Sequence, residues 1–202
     1  MQESDKIKAM QKPNIIFILI DDMGWRDLTC YGSSFYETPN IDRLAREGML
    51  FTNAYAACPV CSPTRGSILT GKYPATLGIT DWIDIKGNIH PCNGRLIDVP
   101  YIKYLPLEEK TIASALKEGG YTTWHVGKWH LGDRPYYPEN HGFDVNIGGG
   151  YWGHPWNGYF SPYQMETLED GPEGEYLTDR ITDEAIKLIK NNKDKPFFLN
   201  LW

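Results

Sequence analysis

Cys61-Ser62-Pro63-Thr64-Arg65 places a thiol just ahead of an expected helix start, with proline two residues on and arginine four. Ser62 suits the N-cap, and Pro63 the first helical position, where its missing N–H costs nothing. Cys61 would then lie at the positive end of the helix dipole, beside a guanidinium that is always charged. Such a place suits chemistry on an anion. As a plain thiol Cys61 could be an activated nucleophile. The alternatives are a small packed side chain at Cys61 and a surface ion pair at Arg65.

Asp21 and Asp22 end a continuous apolar run, Ile15-Ile16-Phe17-Ile18-Leu19-Ile20. Two carboxylates there are costly unless something positive compensates them. A hard divalent cation would do so, since carboxylate oxygens suit Ca²⁺ or Mg²⁺, although an acidic pair can also simply cap a strand and begin a turn. Lys128 and His130, in Gly127-Lys128-Trp129-His130-Leu131-Gly132, follow a second expected strand. Their i, i+2 spacing puts both side chains on one side of an extended segment. Taken alone, they read equally as solvated or structural.

These residues need elements to position them. The run Ile15–Ile20 reads as a strand buried on both faces of an α/β sheet. Thr38-Pro39 opens a helix with Ile41, Leu44 and Ala45 on one face, stopping at Gly48. Met49 to Tyr55 can form a further strand leading into the Cys61 loop. Thr111 to Glu118 reads as a short helix, Tyr121 to Val126 as a strand, and Leu177, Ile181, Ala185 and Leu188 as the buried stripe of a helix. Phe197 to Trp202 reads as an interior strand. Residues 81–106 and 133–175 show no sustained period, and stretches of that length are commonly functional. The alternation predicts a mostly parallel mixed sheet with helices on both faces, whose sites gather at the carboxyl ends of the strands. Asp21-Asp22 and Lys128–His130 both occupy such ends.

The chain has 202 residues, 41% of them hydrophobic, enough for one good core. A net charge of −6 without a basic cluster argues against nucleic acid as a partner. No apolar run approaches the roughly 20 residues of a membrane span. Met1 to Gln11 is polar and lacks the apolar segment of a secretory signal. Location is therefore open: periplasmic or secreted if a signal was removed, otherwise cytoplasmic. Four cysteines do not make a disulfide framework at this length. Cys58-Pro59-Val60-Cys61 has zinc or redox spacing, but only His90 and Cys92 offer a second close pair. Cys30, Cys58 and Cys92 read as packing residues, and His125 as a packed histidine. His90, His141 and His154 lie in loops from which they could reach a substrate. Trp82, Trp152 and Trp156 could form a sugar platform, although packing explains each equally.

Cys61-x-Pro63-x-Arg65 followed by Leu69-Thr70-Gly71 resembles the signature of the type I sulfatases of the alkaline phosphatase superfamily. Three further segments share the resemblance: Pro13 to Trp25, Gly127 to His130, and Tyr31-Gly32 with Thr38 to Leu44 and Gly48 to Phe51. Lys72 departs from the family's usual arginine, keeping the charge but losing the planar fork. The resemblance implies that Cys61 is oxidised to formylglycine by a maturation enzyme and that its hydrate attacks sulfur, expelling sulfate as the aldehyde is restored. It implies that Asp21, Asp22 and residue 61 bind Ca²⁺, with Mg²⁺ second, and that Arg65 holds the hydrated aldehyde. Lys128 would contact sulfate and formylglycine, and His130 the formylglycine hydroxyl.

The implied activity is hydrolysis of a sulfate monoester on an aryl compound or a carbohydrate. The alternatives are a phosphodiester or phosphonate monoester hydrolase of the same superfamily, and a non-catalytic relative that holds anions or glycans. Residues 1–12 read as a polar leader, and residues 13–202 as the N-terminal part of the catalytic domain. Nothing before Trp202 resembles the later metal segment of these enzymes, and Asp133, Asp144 and Asp179 lack its surroundings. The remaining metal ligands and the leaving-group acid are thus expected from the rest of a sulfatase chain, and this chain alone should have little activity.

Overall fold

The computed structural model describes residues 12–85, 95, 99–192 and 195–202. The polar leader before Lys12 lies outside the described residues, as do His90 and Cys92. Four parallel strands form one sheet in the order β1-β4-β2-β3. They are β1 (Ile15–Ile18), β2 (Thr122–Val126), β3 (Val145–Ile147) and β4 (Phe197–Leu201). The helices are α1 (Pro39–Glu47), α2 (Cys61–Thr70), α3 (Pro74–Leu77), α4 (Ile112–Glu118) and α5 (Leu177–Asn191).

Period-2 alternation along β4 and β2 divides the core between the two faces of the sheet. Phe197, Leu199, Trp124 and Val126 pack against Ala185, Ile181 and Leu188 of α5. Phe198 and Trp202 face the other way, onto Leu69 of α2, Leu77 of α3, Ala113 of α4, Phe143 and Trp129. The expected α/β architecture with helices on both faces is therefore present. Asn200 and His125, opposite each other in the β2–β4 register, bring polar atoms into this second layer. The Asn200 Nδ2 group donates to His125 Nδ1 at 3.0 Å. His125 Nε2 donates to the Gly127 carbonyl at 3.1 Å, so the packed histidine is satisfied on both sides.

Local signals place the helices as expected. Thr111 caps α4 through a reciprocal box with Ser114. Pro39 begins α1, and Gly48 ends it.

Two expectations need correction. The Ile15–Ile20 run is shorter as a strand and is not buried on both faces: Ile16, Phe17 and Ile18 are exposed. Among the described residues β1 is an edge strand paired only with β4. α1 packs instead on the turn at Thr29–Tyr31. There the Cys30 amide donates to Asp42 Oδ1 at 2.9 Å. Met49 to Tyr55 forms no strand. It lies where no sheet edge receives it, held at Phe51 by a bond from the Tyr31 hydroxyl.

Candidate active site

β1 delivers Asp21 and Asp22 to the carboxyl edge of the sheet, and Asp22 turns the chain with φ at 56°. β2 ends at the same edge, followed by Lys128. Position 127 must be glycine: its φ is 100°, and a Cβ would run into the carbonyl of Trp202. Trp202 N–H donates to Val126 O and Lys128 N–H to Trp202 O, locking the segment after β2 to the end of β4.

Cys61 is the first residue of α2, with Val60 rather than Ser62 at the N-cap. Ser62 is drawn away from capping because its side chain is buried between two other segments. Its hydroxyl donates to the His130 carbonyl at 2.8 Å and accepts from the Ile83 amide at 2.9 Å. Pro63 still falls in the first turn, where its missing N–H leaves no helical bond broken.

The charged groups converge around Asp21. Arg65, 1% exposed, donates from Nη2 to Asp21 Oδ1 at 2.9 Å and from Nη1 to the Lys128 carbonyl at 2.9 Å. Its guanidinium lies 5.0 Å from the Trp202 ring centroid. Lys128 Nζ donates to Asp21 Oδ2 at 2.7 Å and to Cys61 Sγ at 3.0 Å. Burial alone would raise the Asp21 pKa, but the Lys128 bond and the charges of Arg65 and Lys128 outweigh it and hold the carboxyl below its ordinary value. Burial lowers Arg65 and Asp21 opposes that shift. Asp21, Cys61 and Arg65 open onto a cleft of about 850 Å³ with Asp22 and Ile68 in its wall.

The His130 ring lies close enough to Lys128, Arg65 and Asp21 to feel their charges. The residue's φ is 58°, in the left-handed region. Its ring is 3% exposed and donates from Nε2 to the Ile83 carbonyl at 2.8 Å. Nδ1 has no partner among the described residues. Burial pulls its pKa down to about 4, leaving the ring neutral.

Asp21, Asp22 and Cys61 offer ligand atoms within 4.8 Å of one another. The two carboxylates therefore suit a hard cation, whereas the Cys61 thiol does not and suits a soft one. Cys58 is absent from this group, and the His90 and Cys92 that a zinc site would need lie outside the described residues. His141 is buried against Trp129 and does not reach a surface, whereas His154 is exposed. Trp152 is buried. The Ser62 brace and the Trp202–Arg65 contact carried no sequence signal, because each joins residues far apart in the chain.

The fold is that of the alkaline-phosphatase-like sulfatases. Ps i-CgsB, solved in complex with k-i-k-neocarrahexaose, is 34% identical with a TM-score of 0.75, over 95% of this chain and 44% of that one. BT4656, solved with its substrate D-glucosamine-2-N,6-O-disulfate, is 30% identical with a TM-score of 0.67, over 94% of this chain and 34% of that one. The chain belongs to the sulfatase family, which matches residues 13–201. It is 44% identical to the N-acetylgalactosamine-6-sulfatase of Rattus norvegicus, over 95% of this chain and 39% of the relative. Human arylsulfatase G is 37% identical over 90% of this chain and 33% of the relative. The chain thus spans well under half the length of these relatives.

Proposed function

We propose that this chain carries the nucleophile-bearing part of a sulfuric ester hydrolase, in which R–O–SO₃⁻ and water give R–OH, sulfate and a proton. The supporting observation is the convergence of Asp21, Asp22, Cys61, Arg65 and Lys128 at the carboxyl edge of the sheet. Formylglycine, made from Cys61 by a maturation enzyme that passes two electrons to an external oxidant and releases the sulfur as sulfide, would supply, as its hydrate, the oxygen that attacks sulfur. Asp21, Asp22 and an oxygen on residue 61 would hold Ca²⁺, in preference to Mg²⁺, and that cation supplies positive charge beside the sulfate.

The chain's own side chains supply the rest. Arg65 is fixed before substrate arrives by Asp21 and the Lys128 carbonyl, so its charge is preorganised against the developing anion. Lys128, in contact with residue 61, is the flexible cation able to follow a sulfate oxygen. His130 stays neutral with its Nε2 proton committed to Ile83, which leaves Nδ1 to accept a bond from a hydroxyl. The N-terminus of α2 adds its dipole to the same charge balance.

Carbohydrate sulfates are the favoured substrates: the relatives include an N-acetylgalactosamine-6-sulfatase, and one neighbour was solved with a sulfated glucosamine as its substrate. Residues 13–202 would then form one part of the catalytic domain, with the exposed face of β1 meeting the remainder. Hydrolysis of an aryl sulfate and of an aryl phosphodiester, assayed side by side on protein from its natural source, tests the proposal. Sulfate release should dominate and vanish in Cys61→Ala; phosphodiester turnover alone would overturn it.

A further inference from the structure

One buried polar pair lies beneath the site without a part in the chemistry above. His125 in β2 and Asn200 in β4 stand opposite each other in the sheet register, and both are fully buried. Trp129, Phe143 and Trp202 enclose the imidazole, their ring centroids 5.1, 5.5 and 5.5 Å away. Burial pulls its pKa down to about 3, so the ring is neutral and holds a single N–H. A carbonyl can only accept, so that proton is on Nε2, facing the Gly127 oxygen at 3.1 Å. Nδ1 is then an acceptor, and Asn200 must turn its amide nitrogen toward it, at 3.0 Å. This orientation leaves Asn200 Oδ1 buried with no partner among the described residues.

The imidazole bond falls on the peptide that launches Lys128. At one end of that peptide the Gly127 carbonyl accepts from His125. At the other the Lys128 N–H donates to the Trp202 carbonyl at 3.1 Å. The next carbonyl, that of Lys128 itself, accepts from Arg65 Nη1 at 2.9 Å. The Lys128 backbone is thus fixed on both sides of its Cα, and its ammonium meets Asp21 at 2.7 Å and Cys61 Sγ at 3.0 Å. Glycine at 127 would otherwise let this peptide rotate, and the imidazole bond removes that freedom. An apolar pair would fill the same space without burying an orphan oxygen, so stability alone does not account for His125 and Asn200.

We propose that His125, oriented by Asn200, is a positioning residue that fixes the Gly127–Lys128 peptide and so aims the Lys128 ammonium at the sulfate beside residue 61. This role rests on the sulfatase proposal above and extends it to a pair too deep to touch substrate. No proton passes through the imidazole, whose one N–H stays on the Gly127 carbonyl. Without that bond the peptide can turn, and Lys128 loses its line to Asp21 and residue 61. A shift of about 1 Å at such a group costs up to about a hundredfold in rate.

Aryl sulfate turnover and melting temperature test this in three forms of the natural protein, each matured at position 61. They are the unsubstituted protein, His125→Gln, and an apolar pair that combines His125→Leu with Asn200→Val. Gln keeps an acceptor for Asn200 and a donor for Gly127, so kcat/KM should stay within about threefold. The apolar pair should keep its melting temperature and lose about tenfold or more in kcat/KM. A packing role gives the opposite order, the apolar pair above Gln, and that order would overturn the proposal. Equal turnover in all three forms would overturn it too, while sparing the sulfatase proposal. A tenfold loss in His125→Gln at unchanged melting temperature would also overturn it, whether or not the apolar pair folds. No sulfate release from the unsubstituted protein would overturn both proposals. Long-range ¹H–¹⁵N correlations of the ring read the tautomer without any variant: Nε2–H is expected at His125, and Nδ1–H would overturn the positioning role.

Discussion

Asp21 accepts from a cation at each carboxylate oxygen, Arg65 at 2.9 Å and Lys128 at 2.7 Å. Its pKa is depressed in the fold, so these pairs stabilise the protein above the unfolded value and are lost as pH falls through the lower folded one. Three buried histidines act in the same direction. His125 is pulled down to about 3, and His130 and His141 to about 4, by burial. An unfolded histidine binds its proton near pH 6.5, so between there and pH 4 the unfolded state holds more protons. Stability should be full above pH 6.5 and fall toward pH 4, each histidine costing up to about 1.4 kcal/mol per pH unit. A melting temperature flat over that window would contradict this. Neither ring nitrogen of His141 has a partner among the described residues. His141→Leu should therefore raise stability by about 1 kcal/mol and flatten the acid limb of the same curve. Asp22→Asn should weaken Ca²⁺ binding at least about tenfold by calorimetry, as a neutral amide replaces a charged ligand. The acidic pair, Cys61 and Lys128 were legible in the sequence because each stands at or just past the end of an element, and Arg65 because it lies one helical turn from Cys61. The positive φ of His130 was not, since it falls on a residue other than glycine.

At the scale of elements, α2 and the segment after β2 are joined by one buried hydroxyl. Ser62 bonds both the His130 carbonyl and the Ile83 amide, and no helical pattern announces such a brace. α4, α5, β2 and β4 matched their sequence signals closely, since caps and apolar periods are local properties. β1 and the Met49–Tyr55 segment did not, because strand length and burial depend on what lies alongside. Gly127 is where backbone and site meet. Gly127→Ala should cost more than about 3 kcal/mol, since both φ and the Trp202 carbonyl oppose a side chain. A large fall in melting temperature is expected, and Lys128 should lose its register with Asp21. Wild-type stability in this variant would show that the β2–β4 junction is looser than described.

For the whole molecule, the open face of β1 is the feature composition could not reveal. Ile16, Ile18 and Ile20 stand exposed beside the site, together with Leu44 and Phe51 nearby in the chain. Patches of that kind mark surfaces that another structure covers. If residues 13–202 supply only part of the catalytic domain, the isolated chain should bind Ca²⁺ and sulfate weakly and turn over aryl sulfate far more slowly than the natural protein. Family and fold were legible from four short motifs because the chemistry concentrates at strand ends. Substrate choice was not, because it falls to long irregular loops. The central claim is that residue 61 becomes the oxygen nucleophile of a sulfatase, and the mass of its peptide tests it most directly. The chain, produced together with a formylglycine-generating enzyme, is trapped with a hydrazide and digested. Position 61 should then carry a hydrazone, formed on a residue that untrapped is about 18 Da lighter than cysteine. An unmodified, alkylatable thiol at position 61 under those conditions would contradict it.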